Sequence, residues 1–137
     1  MAKEIKYSDK SEGQPELLIL FNEMKELLRP YAKGNYILSG DKPGQYEIYY
    51  KKEVEIPGKK FSELMFAGLL IQKGYVGFYF FPIYMDEALK KKIAPELLKC
   101  LKGKTCFHIK KNDPQLLTQI KQALRSGVDY YSSQGWK

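Results

Sequence analysis

Hydrophobic and polar positions change period several times along this chain, and each change predicts an element. Leu17, Phe21, Met24, Leu28 and Tyr31 recur every three or four residues, with Leu20 and Leu27 beside them. That spacing predicts an amphipathic helix of about 16 residues. Pro15 sits at a well-tolerated first position, and Pro30 with Gly34 ends the run. From Asn35 the period shortens to two. Asn35–Ser39 predicts a short strand, closed by the turn residues Ser39 to Gly44. Tyr46–Val54 predicts the next, with Tyr46, Ile48 and Tyr50 facing one way and Glu47, Tyr49 and Lys51 the other. Pro57-Gly58 predicts a turn.

The longest β pattern is Phe61–Ile71, Gln72-Lys73-Gly74, then Tyr75–Phe81, two apolar runs joined as a hairpin. Unbroken alternation would place Leu64, Phe66 and Leu70 on one face of the first run and Met65, Ala67, Leu69 and Ile71 on the other. A strand apolar on both faces is covered twice, or offers one face to a ligand or partner. Gly68 and Gly77 mark a bulge, a bend or a close approach within these strands. Past Pro82 the helical period returns. Asp86 is placed to cap a helix bearing Leu89 and Ile93, and Pro95 opens another with Leu97, Leu98 and Leu101. Gly103 stops it, Thr105–Lys110 predicts one more strand, and Asp113-Pro114 starts a final helix along Leu117, Ile120, Leu124 and Val128.

The predicted order is α-β-β-β-β-α-α-β-α. Consecutive strands with short turns pair antiparallel, so the fold class is α+β, a curved antiparallel sheet of about five strands with helices packed on it. Residues 1–14 lack periodicity and are expected to form a flexible arm before a single domain at 15–137. At 137 residues the chain can bury a real core without staples. No apolar run approaches the ~18 residues of a membrane span, and no signal-peptide pattern opens the chain, so a cytoplasmic, membrane-free protein is expected.

Composition alters this picture in two places. Eleven of the aromatic residues are tyrosines, and a ring with a polar tip suits half-wet surfaces. Tyr75, Tyr79, Phe81, Tyr46 and Tyr50 are therefore the candidate ligand-binding residues, projecting from the aromatic strands. The net charge of +7 is concentrated in residues 86–111, where eight lysines face three carboxylates. Leucines between those lysines favour a solvated helical surface over an anion-binding patch. Nucleic-acid binding, which joins exposed aromatics to basic residues on one face, is the third-ranked reading, because the aromatic strands are neutral as a group.

No catalytic or metal centre is expected. Cys106 and His108 share a strand face, but positions two apart lie about 6.5–7 Å from each other, too far for an activated thiolate. With Cys100 they lack the four closely spaced ligands of a structural zinc site. Nucleophile elbow, phosphate loop, dinucleotide fingerprint and zinc-protease motifs are all missing from the sequence. The expectation is a protein that is not an enzyme and has no cofactor, binding an unknown small molecule or protein.

The segment MFAGLLIQKGYVGFYFFP within Leu64–Pro82, then Gly103-Lys104-Thr105-Cys106-Phe107 before a proline-started helix, resembles the YdhG-like family, a bacterial family of unknown function. The resemblance runs over most of residues 17–131 and implies a curved antiparallel sheet carrying helices. Some of that family's members are described as frataxin-like iron chaperones, which makes an iron-binding chaperone the second-ranked reading. Iron favours clustered oxygen ligands, whereas the 16 acidic residues here are spread along the chain.

Overall fold

The structure, a computed structural model, describes residues 9–137. Helix α1, Pro15–Leu28, starts at its proline and turns Leu17, Leu20, Phe21, Met24 and Leu28 inward, while Leu18 and Ile19 point out. One 3-10 turn over Arg29–Tyr31 finishes it at Pro30. Six antiparallel strands form the main sheet: β1 (Tyr36–Lys42), β2 (Gln45–Tyr50), β5 (Leu64–Gln72), β6 (Tyr75–Phe80), β8 (Cys106–Ile109) and β7 (Leu101–Lys102), adjacent in that order. Between β2 and β5 the chain leaves the sheet as a separate two-stranded ribbon, β3 (Val54–Ile56) and β4 (Lys59–Phe61). Three short helices follow β6: α2 (Pro82–Met85), α3 (Glu87–Lys91) and α4 (Pro95–Leu98). The last helix, α5, spans Pro114–Ser133. Helices α1 and α5 cover one face of the sheet.

The α+β class and antiparallel pairing expected from the sequence hold, and the finer count does not. Among the described residues the main sheet has six strands, since Leu101–Lys102 adds an edge to β8. Tyr46–Val54 and Phe61–Ile71 are not single strands: each breaks where Val54 and Phe61 turn away to pair with each other in the ribbon. The first strand, expected to end at Ser39, continues irregularly to Lys42, and Pro43-Gly44 alone makes the turn. The arm expected over residues 1–14 lies outside the described residues up to residue 8. Gln14 itself is tied down: its amide nitrogen donates to the Gln72 carbonyl (3.0 Å) and its oxygen accepts from the Gly74 N–H (2.8 Å), joining the start of α1 to the β5–β6 turn.

Register explains the double apolar pattern of β5. Ile48 pairs with Ala67, but the next residue, Tyr49, pairs with Met65, so Phe66 is an inserted residue. Alternation slips by one there. Leu64, Phe66, Ala67, Leu69 and Ile71 all join the core with Tyr46, Ile48 and Tyr50, leaving Met65, Gly68 and Leu70 on the second face. The face assignment expected from unbroken alternation is thereby corrected: five apolar residues of β5 enter the core, and Met65 and Leu70 remain on the second face. Its bulged backbone is satisfied from two directions. The Tyr131 hydroxyl of α5 donates to the Met65 carbonyl (2.6 Å), and the Phe81 N–H donates to the Phe66 carbonyl (3.1 Å). The Phe66 ring fills the resulting space, with Tyr31, Tyr36, Phe80 and Tyr131 at 5.3–6.0 Å between centroids.

Helix α5 can lie this close because residue 127 has no side chain. A Cβ at Gly127 would stand 2.6 Å from Cζ of Phe80 and 3.1 Å from Cγ of Pro82. The same helix serves the neighbouring short one. Ala94 offers α4 no capping side chain, and Gln119 of α5 supplies an acceptor to the Leu97 N–H (3.0 Å) while its amide reaches Glu96 (2.8 Å).

Two substitutions test this packing. Tyr131→Phe should lower stability by about 1–3 kcal/mol, because the Met65 carbonyl loses its side-chain donor in a buried setting. Urea unfolding measures it, and a neutral result would remove the hydroxyl from the account of the bulge. Gly127→Ala sets a helix-propensity gain of roughly 1 kcal/mol against an overpacking cost of about 1–3 kcal/mol. A net loss on the order of 1 kcal/mol is expected; a stabilised variant would show that α5 is free to move away.

Candidate functional site

Two regions carry side chains that core packing alone does not explain. The first is the second face of the sheet, where pairing lines up Glu47, Gly68, Tyr79 and Cys106 across β2, β5, β6 and β8. One strand step away lie Gln45, Leu70, Gly77 and His108. Glu47 is fully buried. It accepts from the Tyr49 hydroxyl (2.9 Å) through Oε1 and from the Gln45 amide (2.5 Å) through Oε2. The absent side chain of Gly68 leaves room for the Met65 methyl and the Glu47 Cγ, and that of Gly77 for the Tyr79 ring. Tyr79 shares a hydrogen bond with the Cys106 thiol. Tyr75 stacks on His108 at 3.8 Å between centroids and 12° between planes.

The electrostatics of this face oppose nucleophilic chemistry. Burial pushes the Cys106 thiol up, although the Tyr79 hydrogen bond pulls the other way, and burial also raises Cys100. Thiolate, the reactive form, is disfavoured at both. Burial first, then the charges of Lys102 and Lys110, lowers His108. The Tyr79 phenol is pushed up to about 12, chiefly by burial and then by Cys106. Among the described residues, no three His, Cys, Asp or Glu side chains come together as a metal cage. Near the first helix, Glu26 pairs with Arg29 (2.8 Å) and Asp41 with Lys25 (3.3 Å).

The second region is a cleft of about 500 Å³ between the β3–β4 ribbon and α2. Ile56, Phe61 and Leu64 wall one side, and Phe81, Tyr84 and Met85 the other. At its base Lys51, just past β2, pairs with Glu63, just before β5, at 2.5 Å, and Val54 is buried in the core. Tyr84 is 54% exposed, an unusual state for a large ring on a helix otherwise turned inward at Pro82 and Ile83. Phe81 lies 5.4 Å from it, and the Lys104 ammonium sits 5.4 Å from its ring centroid.

The five aromatic candidates divide among three places. Tyr75 and Tyr79 are on the second sheet face. Tyr46 and Tyr50 lie beneath the helices at 1% and 2% exposure. Only Phe81 reaches the cleft, so no single surface gathers all five. The cleft's other residues were missed, although Val54-Glu55-Ile56-Pro57-Gly58-Lys59-Lys60-Phe61 carries a hairpin signal of its own: alternation on both sides of a Pro-Gly turn. Comparisons with protein-family models, with curated proteins and with solved structures return no match.

Alkaline titration tests the second face. Unfolded tyrosines ionise near ~10, whereas Tyr79 and Tyr36 titrate at about 12 in the fold, both because of burial. Between these values the unfolded chain releases protons that the folded chain retains. Stability is therefore complete below about pH 10 and falls as pH climbs toward the folded values. The urea midpoint should drop over that window and drop less in Tyr79→Phe. A flat wild-type profile would contradict the buried phenols.

Proposed function

We propose that this protein is a non-enzymatic binding domain and that the cleft between the β3–β4 ribbon and α2 is its recognition site. One observation carries the reading: an open, mainly apolar concavity of about 500 Å³ holds a largely exposed tyrosine beside Phe61 and Phe81. Small-molecule sites have this size and lining. The polar groups of the second sheet face are engaged with one another, Glu47 with Tyr49 and Gln45, Tyr79 with Cys106, which fits a structural duty better than turnover. Raised thiols support the same assignment. Kinship with the YdhG-like family remains part of the proposal through the residues 64–82 segment, and it names no ligand for this cleft.

A fragment screen followed by amide chemical shifts locates the site. Perturbations are expected at Ile56, Phe61, Phe81 and Tyr84. Tyr84→Ser should abolish the shifts while changing stability by no more than about 0.5 kcal/mol, since that ring is mostly in water. Hits that gather instead around Tyr75 and His108, or that survive in Tyr84→Ser, would move the site elsewhere.

A further inference from the structure

We infer that the cleft selects a small carboxylate with an aromatic body, an inference that rests on the cleft being the binding site. The argument begins with strand alternation in the ribbon. Val54 pairs with Phe61 and Ile56 with Lys59, so these four share one face, on which Val54 enters the core and Ile56, Lys59 and Phe61 line the cleft. Glu55 pairs with Lys60 on the opposite face. The carboxylate of the ribbon strands thus points away, 3.9 Å from Lys60, and the charged residue in the cleft lining is Lys59. Lys104 holds a second ammonium over the ring of Tyr84, itself one of the lining residues. Among the described residues, those lining the cleft include no acid. A mainly apolar lining that includes Lys59, with Lys104 against one of its rings, complements an anion with a ring attached.

The walls favour a flat body over a branched one. Phe61, Phe81 and Tyr84 offer ring faces and edges, and Phe81 and Tyr84 stand tilted at 44°, which leaves room for a third ring in edge or offset contact. The volume suits one or two fused rings. Both lysines are solvated, so each adds a modest electrostatic increment that salt screens. Together they should separate a carboxylate from a neutral ligand of the same shape by about tenfold.

The test is a fluorescence titration of the full chain at low ionic strength with three probes of one shape: naphthoate, naphthylmethanol and naphthylmethylamine. Naphthoate should bind about tenfold tighter than the alcohol, and the amine more weakly than either. Salt should erase the difference. In a Lys59→Glu, Lys104→Glu double variant the carboxylate and amine should exchange places relative to the alcohol. Equal binding of naphthoate and alcohol, or an order that survives charge reversal, would overturn the inference while leaving the cleft as a site. A short acidic, phenylalanine-bearing peptide that displaces naphthoate at lower concentration than naphthoate itself binds would assign the cleft to a peptide and overturn it too. If none of the probes binds, or Tyr84→Ser leaves all of them unchanged, the cleft reading falls and this inference with it.

Discussion

One inserted residue, Phe66, decides how the two central strands present their side chains. Strict alternation along β5 would split its leucines between faces, leaving holes in the core and oily residues opposite. The bulge eases that conflict by slipping the register once, so that Leu64 and Leu69 join the same layer while Leu70 stays on the second face. Such a slip is stable only where the interrupted backbone finds partners. Here they come from outside the β2–β5 ladder, from Tyr131 near the end of α5 and from the Phe81 N–H just past β6. The long helix, the bulge and the turn into α2 are consequently one cooperative unit. Gly127 sets how close that unit can be drawn together.

Much of this architecture could be read from the chain. The 3.6-residue period of α1 and α5, the Asp113-Pro114 start and the hairpin through Lys73-Gly74 all appear where periodicity puts them, because each depends on local spacing and capping. The errors in the strands have a shared origin. A bulge leaves no signature of its own in an apolar run, since Phe66 and its neighbours would fit either face. The ribbon escaped notice because Val54 and Phe61 also extend the longer strands they adjoin, and nothing local indicates that they pair with each other. Tyr46 and Tyr50 misled for a different reason. A tyrosine's polar tip can be met inside the protein: Tyr50 reaches the Lys137 carbonyl at 3.3 Å, so composition alone does not put it on a wet surface.

The candidate site was the hardest part to foresee, for it is assembled from three separate stretches. Ile56 to Leu64, Phe81 to Met85 and Lys104 come together only once the sheet order has placed the ribbon, α2 and the β7–β8 turn side by side. Tyr84 alone gives a sequence-level hint, an aromatic in a short proline-started helix, and only its exposure makes that hint informative. The basic stretch from Asp86 to Lys111 acquires a different meaning in three dimensions. Most of its lysines are simply solvated, whereas Lys104 lies against a ring that faces the cleft.

The ribbon leaves and re-enters the sheet between two strands that already pair directly with each other. Its residues contribute nothing to the β2–β5 ladder, and the Lys51–Glu63 contact closes the exit like a clasp. Lengthening, shortening or exchanging the Pro57-Gly58 tip therefore need not disturb the register below, because loop-closure cost grows slowly with length. The tip of the ribbon can vary while its base, where Val54 enters the core and Phe61 packs against it, stays fixed to the scaffold.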